Sequence, residues 1–258
     1  MFRLTPVVKN LLIINVLFFL ADQALDLNSF ALYYYQSDLF RPYQIVTHFF
    51  MHAGIGHIFF NMFALAMFGP PLEALWGEKK FLFYYLFTAI GAALLHTFVS
   101  YLDIHSLQNA VNTFAQNPDI SNYWGFFDKF PSNYFKSDAL QQLAGALEAG
   151  QIDPAEITGQ MTEIVKGKMN VPVLGASGAV FGLLLAYGMQ YPEHKLMIIP
   201  IPVPVAAKYF IPGMMVLELF LGVNNFSWDN IAHFAHLGGA LFGFLLIMYW
   251  RKVQGTRF

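Results

Sequence analysis

Long apolar runs separated by short polar joints dominate this chain. A helix needs roughly 17–25 mostly apolar residues to cross a bilayer. Six segments meet or approach that length, at roughly 7–26, 45–68, 79–101, 173–190, 207–222 and 231–250. Each is expected to form a membrane helix. The first run follows Arg3 and Lys9 as the apolar part of a secretory signal would. It lacks a small-x-small cleavage site and precedes five further spans, so a retained helix is expected.

One stretch breaks the pattern. Residues 102–172 carry eight acidic residues and four lysines, and read as a soluble extracytoplasmic insertion between the third and fourth spans. Within it, Ser137 through Leu147 predicts a short helix stopped by Gly150. Asp153-Pro154-Ala155-Glu156 predicts a capped helix start, with an acceptor at the N-cap, Pro at the first position and Glu at the third. Asn117 to Tyr134 is rich in Asn, Asp, Ser, Pro and aromatics and predicts irregular structure. The insertion is either a tolerated surface elaboration or a cap over a site, and the sequence leaves both open. Residues 27–44, between the first two spans, are aromatic (Phe30, Tyr33, Tyr34, Tyr35, Phe40, Tyr43). They are expected at the outer headgroup level, where such rings collect.

Composition points the same way. The 258 residues are 57% hydrophobic and 12% charged, with mean hydropathy +0.48. A soluble domain carries about 25% charged residues. This chain cannot cover a globular surface with polar groups, so an integral membrane protein is implied. Net charge −2 gives no case for nucleic acid as a partner. With no cysteine, disulfides and thiolate chemistry are excluded. Lysine and arginine near the spans set the orientation. Arg3, Lys9, Lys79, Lys80, Lys195, Lys208, Arg251, Lys252 and Arg257 fall on one side of a six-span arrangement. The other side holds Arg41 and the four lysines of the insertion. Both termini are expected in the cytoplasm, and the expected location is a bacterial inner or plasma membrane.

Polar side chains inside apolar spans are costly and mark function by default. Ser177 opens the fourth span between Gly175 and Gly178. Gly178, Gly182 and Ala186 recur every four residues, lining one helix face with residues too small to hold a neighbour away. His57 and Asn61 stand at i and i+4 in the second span and share a face. His236 lies one position from a second ladder, Ala235, Gly239 and Gly243, in the sixth span. Packing the ladders together would bring His236 to Ser177, where it can take the proton of an otherwise weak nucleophile. His57 and Asn61 would then donate to a developing oxyanion. The fourth span is short and follows Pro172 and Gly175, leaving room for the water that hydrolysis needs. His233 with His236, and His48 with His52, have metal-ligand spacing. No H-E-x-x-H is present, and no metal is expected. His52 is a secondary polar candidate, and His233 is left open as a second group facing the site.

These residues carry a resemblance to the rhomboid family of intramembrane serine proteases. Gly175-Ala176-Ser177-Gly178 is similar to the family's G-x-S-G at the start of the fourth helix. His57 and Asn61 are similar to its H-x-x-x-N in the second helix. Ala235, His236, Gly239 and Gly243 are similar to its A-H-x-x-G-x-x-x-G in the sixth. Thr47 to His52 and Phe68 to Glu73 also resemble the family's sequence around helix two. The resemblance implies an all-α membrane protein, a bundle of six transmembrane helices. It implies Ser177 as nucleophile, His236 as base, and an oxyanion hole made by His57, Asn61 and the Ser177 N–H, with Phe181 packed beside the histidine. It implies a dyad, so neither Glu218 nor Asp229 receives a catalytic role. It further implies no metal or organic cofactor, with transmembrane protein substrates and the lipid bilayer as partners. Cleavage is expected at small residues, with helix-weakening residues beyond. Where the family commonly has Trp-Arg in the first external loop, this chain has Tyr43-Gln44, and its 102–172 insertion exceeds the compact family form. No pattern sets an oligomeric state.

Two other readings stand beside this one. A non-catalytic rhomboid-like binding or quality-control protein usually lacks the serine or the histidine, and both are here. A transporter is expected to show internal repeats, and none is visible.

Overall fold

The computed structural model describes residues 4–131, 134–198, 201–224 and 231–254. Its helices are α1 (Pro6–Leu25), α2 (Gln44–Thr47), α3 (Ile55–Trp76), α4 (Glu78–Gln116), α5 (Ile120–Phe127), α6 (Ser137–Glu148), α7 (Pro154–Met169), α8 (Ser177–Gln190), α9 (Ala207–Asn224) and α10 (His233–Gln254). An antiparallel hairpin, β1 (Lys195–Ile198) and β2 (Ile201–Ala206), joins α8 to α9. By length and composition α1, α3, α4 and α10 can each cross a membrane. Their outward faces are apolar too: Leu17 and Leu20 on α1, Phe59 and Phe60 on α3, and Leu245 and Tyr249 on α10 are all exposed. Such surface suits hydrocarbon rather than water. The 14 residues of α8 rise only about 21 Å, short of a hydrocarbon core about 30 Å thick.

Local chemistry moves several expected boundaries. The second span lies at Ile55–Trp76 rather than 45–68. Residues 44–50 instead form short turns that lead into it. Pro70 and Pro71, beyond the expected end at 68, sit inside α3 between the buried Leu65 and Leu72. Packing holds the helix through them. Glu73, on the same last turns, is buried. Its carboxylate accepts from Val7 N at 3.0 Å and Val8 N at 2.9 Å, and from the Thr5 hydroxyl. One acidic side chain from α3 thus satisfies the orphan donors at the start of α1.

The third span is longer than expected. Instead of ending near 101, α4 continues to Gln116, about 58 Å in all. Its first half is buried in the bundle through Phe81, Tyr84, Tyr85 and Ala89. Its second half buries Ile104, Leu107, Val111 and Phe114, a run at helical spacing. These four meet Tyr123, Phe126 and Phe127 of α5 and Ile157, Met161 and Val165 of α7 in a second apolar cluster. Residues 120–127, expected as irregular, are helical. Asp119 caps α5 by accepting from Asn122 N at 2.8 Å, and the aromatic residues bury against α4. In α7, Asp153 accepts from Ala155 N at 2.8 Å with Pro154 at the first position.

The segment between α1 and α3 has its own anchor. Gln44 is fully buried. Its Oε1 accepts from Arg41 N at 3.0 Å, and its Nε2 donates to Ser29 O at 3.0 Å and Leu39 O at 2.9 Å. A neutral amide therefore ties three parts of the loop together. Leu32 and Val173 exchange two backbone hydrogen bonds of 2.8 Å, fastening this loop to the residues that lead into α8.

Candidate active site

The site grows out of a close junction of α4, α8 and α10. A methyl group at Gly239 of α10 would fall on the backbone of Gly178 in α8. The methyl positions of Gly178 and Gly182 point instead at Ala92 and Thr88 of α4. At Gly243 the added atom would meet the Tyr84 hydroxyl, which donates to Gly182 O at 2.8 Å. The small residues of α8 and α10 thus pack a three-helix seam, not one face on another.

That seam sets Ser177 against His236. Ser177 is the first residue of α8, and His236 lies in the first turn of α10. The Ser177 Oγ is 2.9 Å from His236 Nε2. Phe181, one turn beyond the serine, stacks on the imidazole with centroids 4.1 Å apart and planes 6° from parallel. The stack and the hydrogen bond together restrict the ring's rotation. The helical ladder of α8 begins with Val180 N donating to Ala176 O at 3.0 Å. The N–H groups of Ser177, Gly178 and Ala179 stand ahead of it, as the first donors of any helix do.

His57 lies on the other side of the serine. Gly175 has φ +118°, a conformation that disfavours any side chain. A methyl there would be 2.8 Å from His57 Cε1 and Nε2 and 3.7 Å from Ser177 Oγ. The imidazole and the hydroxyl therefore flank one small space that glycine leaves open. Ala53 N donates to His57 Nδ1 at 3.3 Å, which leaves the ring proton on Nε2, the atom facing that space. Asn61 is buried one turn on, and one N–H of its amide donates to His57 O at 3.1 Å. An amide nitrogen carries a second proton free for another acceptor. His52 packs 5.1 Å from the His57 ring, and its buried Nε2 has no hydrogen-bond partner among the described residues. His48 Nδ1 lies 2.7 Å from Gln44 O.

The residue missed by sequence is Glu218. The dyad expectation gave it no part, yet its Oε2 lies 2.9 Å from His236 Nδ1 and 2.6 Å from His233 Nδ1. The signal was present: a single carboxylate within the apolar run of α9. Asp229 lies outside the described residues. Glu218, His233 and His236 also hold the three donor atoms a metal ion would need within 4.8 Å of one another. A cleft of about 680 Å³ between α4, residues 129–131 and 134 and the ends of α9 and α10 reaches His233, with Ser100, Asp103, Lys129 and Lys168 also on its wall.

The same residues lie within a recognised domain. The rhomboid domain matches residues 39–106 and 155–253, which include Ser177, His236, His57 and Asn61. The chain belongs to the rhomboid family. This rhomboid is 26% identical to RHOMBOID-like protein 12, mitochondrial, of Arabidopsis thaliana over 221 residues, covering 84% of the chain and 48% of that protein. It is 40% identical over 90 residues to presenilin-associated rhomboid-like protein A, mitochondrial, of Danio rerio, covering 31% and 22%. Over 81 residues it is 32% identical to Rhomboid protein 1, mitochondrial, of Saccharomyces cerevisiae, covering 31% and 23%. The chain spans less than half the length of each of these relatives.

Proposed function

We propose that this rhomboid is an intramembrane serine endopeptidase that cleaves transmembrane segments of other membrane proteins. The observation that carries the reading is the 2.9 Å contact between Ser177 Oγ and His236 Nε2 beneath the stacked Phe181 ring. In this reading Ser177 Oγ attacks the scissile carbonyl carbon while His236 Nε2 takes its proton. The carbonyl oxygen, now negative, receives hydrogen bonds from His57 Nε2, the free Asn61 N–H and the Ser177 N–H. Each well-placed donor is worth about 2.7–4 kcal/mol in the transition state. His236 returns the proton to the leaving amine, and water then hydrolyses the acyl-enzyme by the same route. A substrate helix must unwind locally first, because its amides are held in their own hydrogen bonds. Gly178, Gly182, Ala235, Gly239 and Gly243 serve this chemistry by letting the helices approach, and Gly175 by leaving open the space between His57 and Ser177.

We read six spans, α1, α3, α4, α8, α9 and α10, as one membrane domain, with 102–172 as an extracytoplasmic insertion. The family match skips residues 107–154, and Ile104 through Met169 share a separate apolar cluster, in favour of that division. Lys80 lies 4.3 Å over the Trp250 ring, which joins the start of α4 to the end of α10 at the lysine-rich end. Arg3 and Arg257, also counted for orientation, lie outside the described residues. The relatives named above are mitochondrial, which runs against the bacterial membrane expected from the sequence. The location kept is an integral one in a membrane, with both termini on the lysine-rich side.

The test uses purified wild type and Ser177→Ala in proteoliposomes, single-span substrates and a serine-reactive fluorophosphonate. Wild type is expected to label and cleave. Ser177→Ala is expected to lose labelling and at least about 10⁴-fold in rate. Equal cleavage by both proteins would discard Ser177 as the nucleophile, and a wild type that neither labels nor cleaves would discard the protease reading in favour of a non-catalytic membrane-protein binder.

A further inference from the structure

Glu218 is the one carboxylate among the eighteen residues of α9, and the side chain is only 13% exposed. An acidic group so placed is expensive unless its oxygens meet donors. Two donors are there: His236 Nδ1 at 2.9 Å and His233 Nδ1 at 2.6 Å, both on Oε2. One oxygen can receive both bonds only if each Nδ1 carries a proton. An ionised carboxylate accepts and never donates. His236 is then the tautomer with a bare Nε2, and that nitrogen is the atom 2.9 Å from Ser177 Oγ. Carboxylate, imidazole and hydroxyl form one unbroken chain, α9 to α10 to α8.

We propose that Glu218 is a positioning residue that completes a Glu218–His236–Ser177 triad, with His233 holding the same carboxylate oxygen. This rests on the protease reading above and goes beyond the dyad that the family resemblance implies. During attack the Oγ–H bond breaks, the new bond runs from Oγ to the carbonyl carbon, and the proton moves to His236 Nε2. Glu218 keeps its charge throughout and faces the imidazolium across 2.9 Å. His233 fixes the rotamer of the carboxylate, so that Oε2 stays where His236 Nδ1 needs it. A metal ion held by the same three residues would have the opposite effect. It would take the Nδ1 lone pair of His236, force the remaining proton onto Nε2 and remove the base.

Wild type, Glu218→Gln, Glu218→Asp and His233→Gln are compared in proteoliposomes for kcat, KM and thermal unfolding, with and without a chelator. Glu218→Gln should lower kcat by on the order of 10²–10⁴, with KM within about twofold of wild type. Glu218→Asp keeps the charge and should retain at least about tenfold more kcat than the Gln variant. His233→Gln leaves the Glu218–His236 bond and should cost less than about tenfold. The proposal falls if Glu218→Gln keeps wild-type kcat. It also falls if the Gln and Asp variants lose activity and melting temperature in parallel, which marks a packing role. Loss of wild-type activity on chelation, restored by zinc, would overturn it in favour of a metal centre. If Ser177→Ala is inactive while Glu218→Gln is not, the triad is wrong and the protease reading survives. If Ser177→Ala remains active, the triad and Ser177 as the nucleophile both fail.

Discussion

Gly239→Ala separates helix packing from side-chain chemistry at this site. The added methyl would land on the carbonyl oxygen, carbonyl carbon and Cα of Gly178. These are backbone atoms, and no rotamer change removes them. Ordinary contact begins at 3.4 Å, so α8 and α10 must part by more than about 1 Å. The Ser177–His236 distance of 2.9 Å would then pass beyond the range of a hydrogen bond. A misplacement of that size costs about 10²-fold in rate, equivalent to about 2.7 kcal/mol of barrier. Overpacking adds about 1–3 kcal/mol of lost stability. The assay is cleavage of a single-span substrate, with kcat normalised to fluorophosphonate-reactive serine and folding followed by thermal unfolding. Gly159→Ala and Gly167→Ala in α7 point into open space and serve as controls. They should keep full activity. A Gly239→Ala protein that cleaves at the wild-type rate would refute the claim that the seam sets the Ser177–His236 distance.

Gly175→Ala should cost about 1–2 kcal/mol in backbone strain from its positive φ. It should also displace His57, lowering kcat by about 10²–10³ as one proposed oxyanion donor is lost. Gly54→Ala, in extended backbone with open space around it, should change neither rate nor stability, and a comparable loss there would contradict the assignment. Glu73→Gln replaces a two-oxygen cap on α1 with a single acceptor and should destabilise by about 1.5–3 kcal/mol. The measurement is the melting temperature, which is expected to fall by roughly 2–4 °C per kcal/mol. An unchanged value would mean that Glu73 does not hold α1 in place.

The apolar segments were visible because run length and composition decide whether a segment prefers lipid. Their ends were not. The second span was expected to end at 68, yet the buried Leu65, Leu72 and Glu73 carry α3 through Pro70 and Pro71. The 104, 107, 111 and 114 spacing that extends α4 is written in the sequence, but the neutral polar residues between (Ser106, Gln108, Asn109, Asn112, Thr113) hid it. Tyr43-Gln44 marked a departure from the family, and only folding reveals that Gln44 supplies the loop's anchor. Glu218 was legible as a costly carboxylate and remained without a partner, since no local rule points it at His236.

Sequence alone determines the class of this chain and the side chains it carries. Its composition calls for a membrane, its run lengths for helices, and its motif residues supply a hydroxyl, imidazoles and an amide. Those properties depend on residue type and on spacing within one element. Tertiary structure decides which groups meet. It brings Ser177 to His236 across 59 residues of chain, turns the small residues of α8 toward α4, and lays a carboxylate of α9 against His236 Nδ1. Such meetings depend on helix crossing and rotation, which close packing of whole helices sets and periodicity within one helix does not specify.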